Sequence, residues 1–124
     1  MIDGSDILEI ERQLCACVED LRRRTSAYAT SLQIREFISD NKKNLLARYV
    51  VPRLKAGDSA AAAEHHARAN PEYQAELDTM GEQYQRAESH VASWRAAMAR
   101  FEATRSLLSS ARAQIPAAMK GAEG

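Results

Sequence analysis

The chain has 124 residues with 17 basic and 17 acidic side chains, so its formal net charge is zero and the whole sequence has no bias toward polyanions. Its length is that of one domain, which we place at residues 1–116, but only 6% of the residues are aromatic and alanine is abundant, so we do not expect a thick globular core. No stretch approaches the ~20 apolar residues of a membrane span, and the N-terminus lacks a signal-peptide pattern, so we predict a cytoplasmic protein without membrane contact.

The first predicted element is a helix over residues 6–51, capped by Ser5 or Asp6. Arg24 and Ser31 occupy positions that an apolar seam, the narrow stripe facing a partner helix, would fill. A second apolar series starts at Ile34 and Phe37, so we expect the packing face to change near Ile34; a break at residues 39–41 is the alternative. The first series recurs at nearly seven-residue spacing and comprises Ile7, Ile10, Leu14, Cys17 or Val18, Leu21, Tyr28 and Leu32.

Two cysteines lie within this first helix. Cys15 and Cys17 are one residue apart, and a helix points such side chains away from each other, so they suit neither a disulfide nor a shared metal. They indicate a reducing, intracellular setting.

A bend over residues 52–58 and a short helix over residues 59–69 follow. Pro52 disfavours continued helix, and Gly57 with Asp58 is a strong turn signal. The short helix is rich in alanine and has almost no larger apolar side chain, so it can bury little surface. We therefore predict that it lies exposed at the far end of the molecule.

The last element is a long helix over residues 71–115, started by Asn70 as N-cap and Pro71 in the first turn. Its apolar residues alternate in steps of four and three, which is the coiled-coil period. Arg105 and Arg112 interrupt this seam, and residues 117–124 are expected to form a flexible tail. The seam residues most strongly expected in the core or in an oligomer contact are Tyr84, Val91, Trp94, Met98, Phe101 and Leu108.

These elements predict an all-α fold, a long antiparallel helical hairpin of coiled-coil type with a short Ala-rich helix near its bend. The pattern contains no convincing strand. Because two helices with wide apolar faces rarely cover each other, we also expect a homo-oligomer.

The charge is unevenly distributed: residues 41–68 hold six basic residues against two acidic ones. Such a segment is typical of a track that binds nucleic-acid phosphates, and an aromatic side chain within it could stack a base. The alternative is a solvated helix end whose cations complement the helix dipole. The candidates for phosphate contact are Lys42, Lys43, Arg48, Arg53 and Lys55, and the candidate for stacking is Tyr49.

Enzyme activity has almost no support in this sequence. No Ser/His/Asp, Cys/His or paired-carboxylate spacing is present, and no Gly-rich phosphate loop. His65 and His66 are adjacent, so they diverge on a helix and make a poor metal pair. We expect no catalytic residue, no metal and no cofactor.

The order of a basic helix end, a Gly-containing bend, an Ala-rich segment and a long helix with a central Trp94 resembles the small helical phage and prophage proteins grouped with the recombination mediator UvsY. The resemblance covers roughly residues 41–115. The family's leucine, lysine, alanine, arginine motif for single-stranded DNA corresponds to Leu45, Leu46, Ala47 and Arg48, with leucine in place of the lysine. The resemblance implies a non-enzymatic oligomer in a bacterial host cell that binds single-stranded DNA and helps load a recombinase onto DNA covered by single-strand binding protein.

Two other function classes stay open. One is a protein-binding module, such as a phage inhibitor of a host defence or transcription complex, which the balanced charge and apolar seam favour. The other is a structural coiled-coil adaptor or chaperone, for which the basic segment would be incidental.

Overall fold

The structure, a computed structural model, describes residues 3–115, and these form three α-helices and no strand. Helix α1 spans Gly4–Lys55, α2 spans Ala60–Ala69 and α3 spans Pro71–Ala113. The predicted all-α class, with two long helices and a short Ala-rich helix between them, is confirmed. The predicted tail lies outside the described residues. None of the three helices combines the length and apolarity needed to cross a membrane.

Helix α1 begins earlier than predicted because Asp3, rather than Ser5 or Asp6, is its N-cap. The Asp3 carboxylate accepts hydrogen bonds from the backbone N–H groups of Ser5 (2.9 Å) and Asp6 (3.1 Å). In return the Asp6 carboxylate accepts one from the Asp3 N–H (2.9 Å). This is a reciprocal capping box, and with the bond from Ser5 it satisfies three backbone N–H groups at the start of the helix.

Helix α1 also continues past Pro52 to Lys55, four residues beyond the predicted end. It ends in a Schellman motif, in which the Asp58 N–H bonds to the Arg53 carbonyl and the Gly57 N–H to the Leu54 carbonyl, both at 3.1 Å. Gly57 has φ +102°, a conformation that glycine adopts without strain. The turn signal at Gly57 therefore decides where the helix ends, and Pro52 is accommodated in its last two turns.

Asn70 joins α2 to α3. Its backbone N–H bonds to the Ala67 carbonyl at the end of α2, and its side-chain oxygen accepts from the Glu72 N–H (2.9 Å) at the start of α3. The predicted N-cap of the long helix is thus confirmed. The expectation that the short helix lies fully exposed is wrong for Ala63 and Ala67, which are buried, because a face of small side chains allows close helix contact.

The chain divides into two compact units, and α1 and α3 contribute to both. The first unit comprises Met1–Ser26 and Ala92–Gly124. In it, Glu11 pairs with Arg112 (2.9 Å) and Asp20 with Arg100 (3.0 Å). A residue further along α1 thus pairs with a residue nearer the start of α3. The two helices are therefore antiparallel in this unit. Its apolar cluster consists of Ile7, Ile10, Leu14, Leu108, Ala111 and Ile115.

A polar network occupies the seam of the first unit at Asp20. Its carboxylate accepts from Arg24 (2.9 Å) and Arg100 (3.0 Å), and Arg24 also donates to Ser93. The hydrogen bond from Arg24 holds the pKa of Asp20 below its ordinary value of 3.8, with Arg100 acting in the same direction. The network explains why Arg24 can occupy a seam position that an apolar residue would normally fill.

We expect Asp20→Asn to lower the melting temperature at neutral pH, because three arginines, Arg23, Arg24 and Arg100, lose their shared carboxylate. A lowered folded-state pKa stabilises the fold fully above the unfolded pKa, and this contribution disappears as the pH falls through the folded pKa. The difference in melting temperature between wild type and variant should therefore narrow below pH 3.8. Thermal unfolding followed by circular dichroism measures this, with Glu19→Gln, which removes only the exposed pair with Arg22, as control. A difference that is independent of pH would contradict the assignment.

The second unit, Ala27–Val91, contains the rest of α1 and α3 together with α2. Arg35 pairs with Glu88 (2.7 Å) and Arg48 with Glu76 (3.2 Å), so the helices are again antiparallel. Leu45 is 1% exposed and is one of the two largest fully buried side chains among the described residues.

The seam of α3 differs from the prediction near its C-terminal end. Val91 and Leu108 are buried, and Tyr84, Trp94, Met98 and Phe101 are half-buried. Beyond Trp94, however, the buried side moves by one residue: Thr104 and Ala111 face inward, whereas Arg105 and Arg112 are exposed. The prediction that the two arginines interrupt the seam is wrong. After Trp94 the buried positions advance by three residues where the predicted seam advances by four, and this shifts the heptad register so that the arginines lie beside the seam.

The packing face of α1 does not change near Ile34. Buried and half-buried positions continue at Tyr28, Ser31, Arg35 and Ile38, in steps of three and four. Ile34 lies beside this face, and Phe37, also predicted to pack, is 65% exposed. The predicted alternative break at residues 39–41 is absent, since α1 is continuous there.

Candidate nucleic-acid interface

The residues predicted to contact phosphates all lie in the last four turns of α1, and all five cations are exposed: Lys42, Lys43, Arg48, Arg53 and Lys55. Tyr49, the predicted stacking residue, is half-buried. The helix thus brings the six residues into one region of the second unit.

The five cations do not share one side of the helix. Successive residues are about 100° apart, so Lys42 and Arg53 are near one another in direction, as are Arg48 and Lys55. The second pair is about 140° from the first, and Lys43 points about 90° from the first pair to the opposite side. A single straight strand could therefore follow only part of this set.

Ion pairing separates the arginines of α1 from its lysines. Arg48 pairs with Glu76 (3.2 Å) and Arg53 with Asp58 (2.9 Å). Every other arginine of α1 also has a carboxylate partner: Arg12, Arg22, Arg23, Arg24 and Arg35. Lys42, Lys43 and Lys55 form no ion pair with any carboxylate of the described residues, so they are the helix's available cations.

Tyr49 takes part in packing within the second unit. Its ring meets that of Tyr73 edge to face, with centroids 5.6 Å apart. Burial raises the pKa of the Tyr49 hydroxyl above its usual value, and the nearby carboxylates of Glu76 and Glu72 raise it further. The hydroxyl is therefore protonated at neutral pH, and the ring can stack a base only with the part that Tyr73 leaves free.

His66 joins this region, and sequence reasoning missed it. A polar cavity of about 370 Å³ is lined by His66 with Tyr49, Arg53 and Asn70, among others. His66 is seventeen residues from Tyr49, and only the return of α2 beside α1 brings them together. In the sequence, the position of His66 within the basic segment 41–68 was the one signal that could have pointed to it.

Leu46 replaces the lysine of the DNA-binding motif named above, and it lies half-buried. With Lys43 and Val50 of α1 and Ala60 and Glu64 of α2, it lines a small surface depression. It therefore contributes to the contact between α1 and α2.

A second feature of the same unit is an apolar groove beside the packing face of α1, which we call the Phe37 groove. Its volume is about 460 Å³, and its floor is mostly apolar. Phe37 is 65% and Ile34 37% exposed. The groove is lined by Ala27, Thr30, Ser31, Ile34, Phe37 and Ile38 of α1 and by Gln83, Arg86, Ala87 and His90 of α3.

The described residues contain no group of three or more His, Cys, Asp or Glu side chains that could hold a metal ion. His65 and His66 are neighbours with ring centroids 5.9 Å apart. Cys15 and Cys17 are both free thiols.

Comparison with known proteins identifies no relative. No protein-family model matches the chain, and neither a curated protein nor a solved structure matches it significantly. The resemblance to the UvsY group, which depends on the order of segments and on the motif at Leu45 to Arg48, stays a prediction.

Proposed function

We propose that this chain is a non-enzymatic accessory protein that binds single-stranded DNA through the C-terminal turns of α1. In this proposal it helps to load a recombinase onto DNA covered by single-strand binding protein. The observation that carries the proposal is the contrast within α1 between the paired arginines and the three exposed lysines Lys42, Lys43 and Lys55, which form no ion pair with a residue of the range 3–115.

Lysines without carboxylate partners suit non-specific phosphate contact. Each can release a counterion on binding without first breaking an intramolecular ion pair. Arg48 and Arg53 can add to the contact, because exposed ion pairs contribute only about 0–1 kcal/mol and a phosphate can replace the carboxylate. The expected binding is weak for each chain, dependent on salt and indifferent to base sequence.

Replacing Lys42, Lys43 and Lys55 together by alanine is expected to weaken binding to single-stranded DNA on the order of 100-fold at about 0.1 M salt. The estimate assumes three phosphate contacts, each contributing about 0.7 to the logarithmic salt slope. Fluorescence anisotropy of a labelled oligonucleotide, titrated at two salt concentrations, measures both the affinity and the slope.

The matched control replaces Arg12, Arg22 and Arg23 by alanine, which removes the same charge from exposed positions of α1 that have carboxylate partners. This variant should keep nearly wild-type affinity. The proposal fails if wild-type binding is unchanged between about 50 and 200 mM salt. It fails equally if the two triple variants lose affinity to the same extent.

The Phe37 groove favours a second function class, a protein-binding module. Large apolar side chains exposed together are typical of surfaces that contact another protein. A module of this kind would keep its activity in the triple lysine variant and lose it when Phe37 is replaced. The two classes are thus separated by variants that alter different surfaces.

A further inference from the structure

The Phe37 groove is bordered by a second stripe of heptad spacing on α1. Ala27, Thr30, Ile34 and Phe37 follow one another in steps of three, four and three. Each lies one residue before a position of the core face, which runs through Tyr28, Ser31, Arg35 and Ile38. A stripe with this period packs against a helix, because each side chain can fit between those of a facing helix. The occupant of the groove is therefore expected to be helical.

The charges at the groove indicate which helix fits it. Arg86 lines the groove from α3, is exposed and forms no ion pair with a described residue. Asp40 lies one turn beyond Phe37 on α1, is exposed and is likewise without an ion pair among the described residues. One molecule therefore presents the cation Arg86 on the border of the stripe that faces α3, and the anion Asp40 next to the opposite border. This is the self-complementary arrangement that a two-fold interface requires.

We propose that the Phe37 groove is a homodimer interface, in which α1 of a second copy packs in the groove parallel to the first α1. A two-fold axis that runs along the pair of α1 helices places Phe37 of each copy beside Phe37 of the other. The same axis brings the cationic border of each groove toward the acidic border of the other copy. The inference is independent of the DNA proposal, because it uses none of the three lysines.

The dimer removes from water the two large side chains of the stripe that the single chain leaves exposed. Phe37 is the most exposed large hydrophobic residue of the described chain. An aromatic side chain at the centre of an interface is the kind of residue that dominates its affinity. The peripheral charges contribute mainly to the choice of partner and its orientation.

The test is sedimentation equilibrium over a wide range of protein concentration. Wild type is expected to show a reversible monomer–dimer equilibrium, and Phe37→Glu to raise the dimer dissociation constant by about 30-fold or more. Circular dichroism should show unchanged helix content in this variant, because Phe37 contributes little to the fold of the single chain. The matched control is Leu8→Glu, which alters another exposed apolar residue of α1, 57% exposed, outside the groove.

A charge exchange tests the orientation. Arg86→Asp and Asp40→Arg should each weaken the dimer by about 2- to 5-fold, and the double variant should recover most of the loss. A wild-type protein that is monomeric at every concentration would overturn the proposal and leave the groove to a different protein. An oligomer that persists in Phe37→Glu, or one that Leu8→Glu weakens equally, would also overturn it.

Discussion

Replacing Leu45 with alanine is expected to lower the free energy of unfolding by about 2–5 kcal/mol. Leu45 is 1% exposed in the second unit, so the truncation removes apolar surface from the interior and leaves a cavity. Domains of this size are typically stable by only about 5–15 kcal/mol, so the loss is a large fraction of the total. Urea unfolding followed by circular dichroism measures it.

Leu54→Ala is the matched control, because it makes the same chemical change in α1 at a side chain that is 43% exposed. It should cost well under half as much as Leu45→Ala. If the two variants unfold at the same urea concentration, Leu45 is not in the core of this unit.

Replacing Ala111 with arginine is expected to destabilise the first unit by about 3 kcal/mol or more. Ala111 is fully buried against Ile7, Ile10 and Leu108, and an arginine there would place an unpaired charge among them. The measurement is again urea unfolding, with a probe in this unit such as the fluorescence of Trp94.

Two controls show whether the seam lies at Ala111 or at Arg112. Arg112→Ala removes an exposed side chain and its 2.9 Å pair with Glu11, which should cost about 0–1 kcal/mol. Ala113→Arg adds the same charge as Ala111→Arg at an exposed neighbouring position and should be nearly neutral. If Arg112→Ala were the more damaging change, the seam would follow the uninterrupted heptad of the sequence.

The candidate interface could be located from the sequence only in part. The excess of basic residues over 41–68 drew attention to the last turns of α1, and the structure leaves all five proposed phosphate-binding cations there exposed. Charge counting could not separate Arg48 and Arg53 from the lysines. Arg48 pairs with Glu76 on another helix, and Arg53 pairs with Asp58 beyond the turn. Both ion pairs form only when the chain is folded.

The Phe37 groove was missed for a related reason. Ile34 and Phe37 belong to an apolar series that is nearly as regular as the one that packs, and hydrophobicity alone gives no preference between them. Only the contacts of the folded unit separate the two faces. Ser31 and Ile38 are buried and Arg35 between them pairs with Glu88 of α3 (2.7 Å), whereas the neighbouring face stays exposed.

Local sequence signals were enough to determine the helical class, the start of α3 at Asn70 and Pro71, and the turn at Gly57. Each of these depends on residues within one or two turns, where propensity, capping and a positive φ act directly. The tertiary structure alone decided the register of the seams, the pairing of the α1 arginines and the exposure of Phe37. These features depend on which residues of one helix meet those of another, and residues far apart in the chain determine that choice.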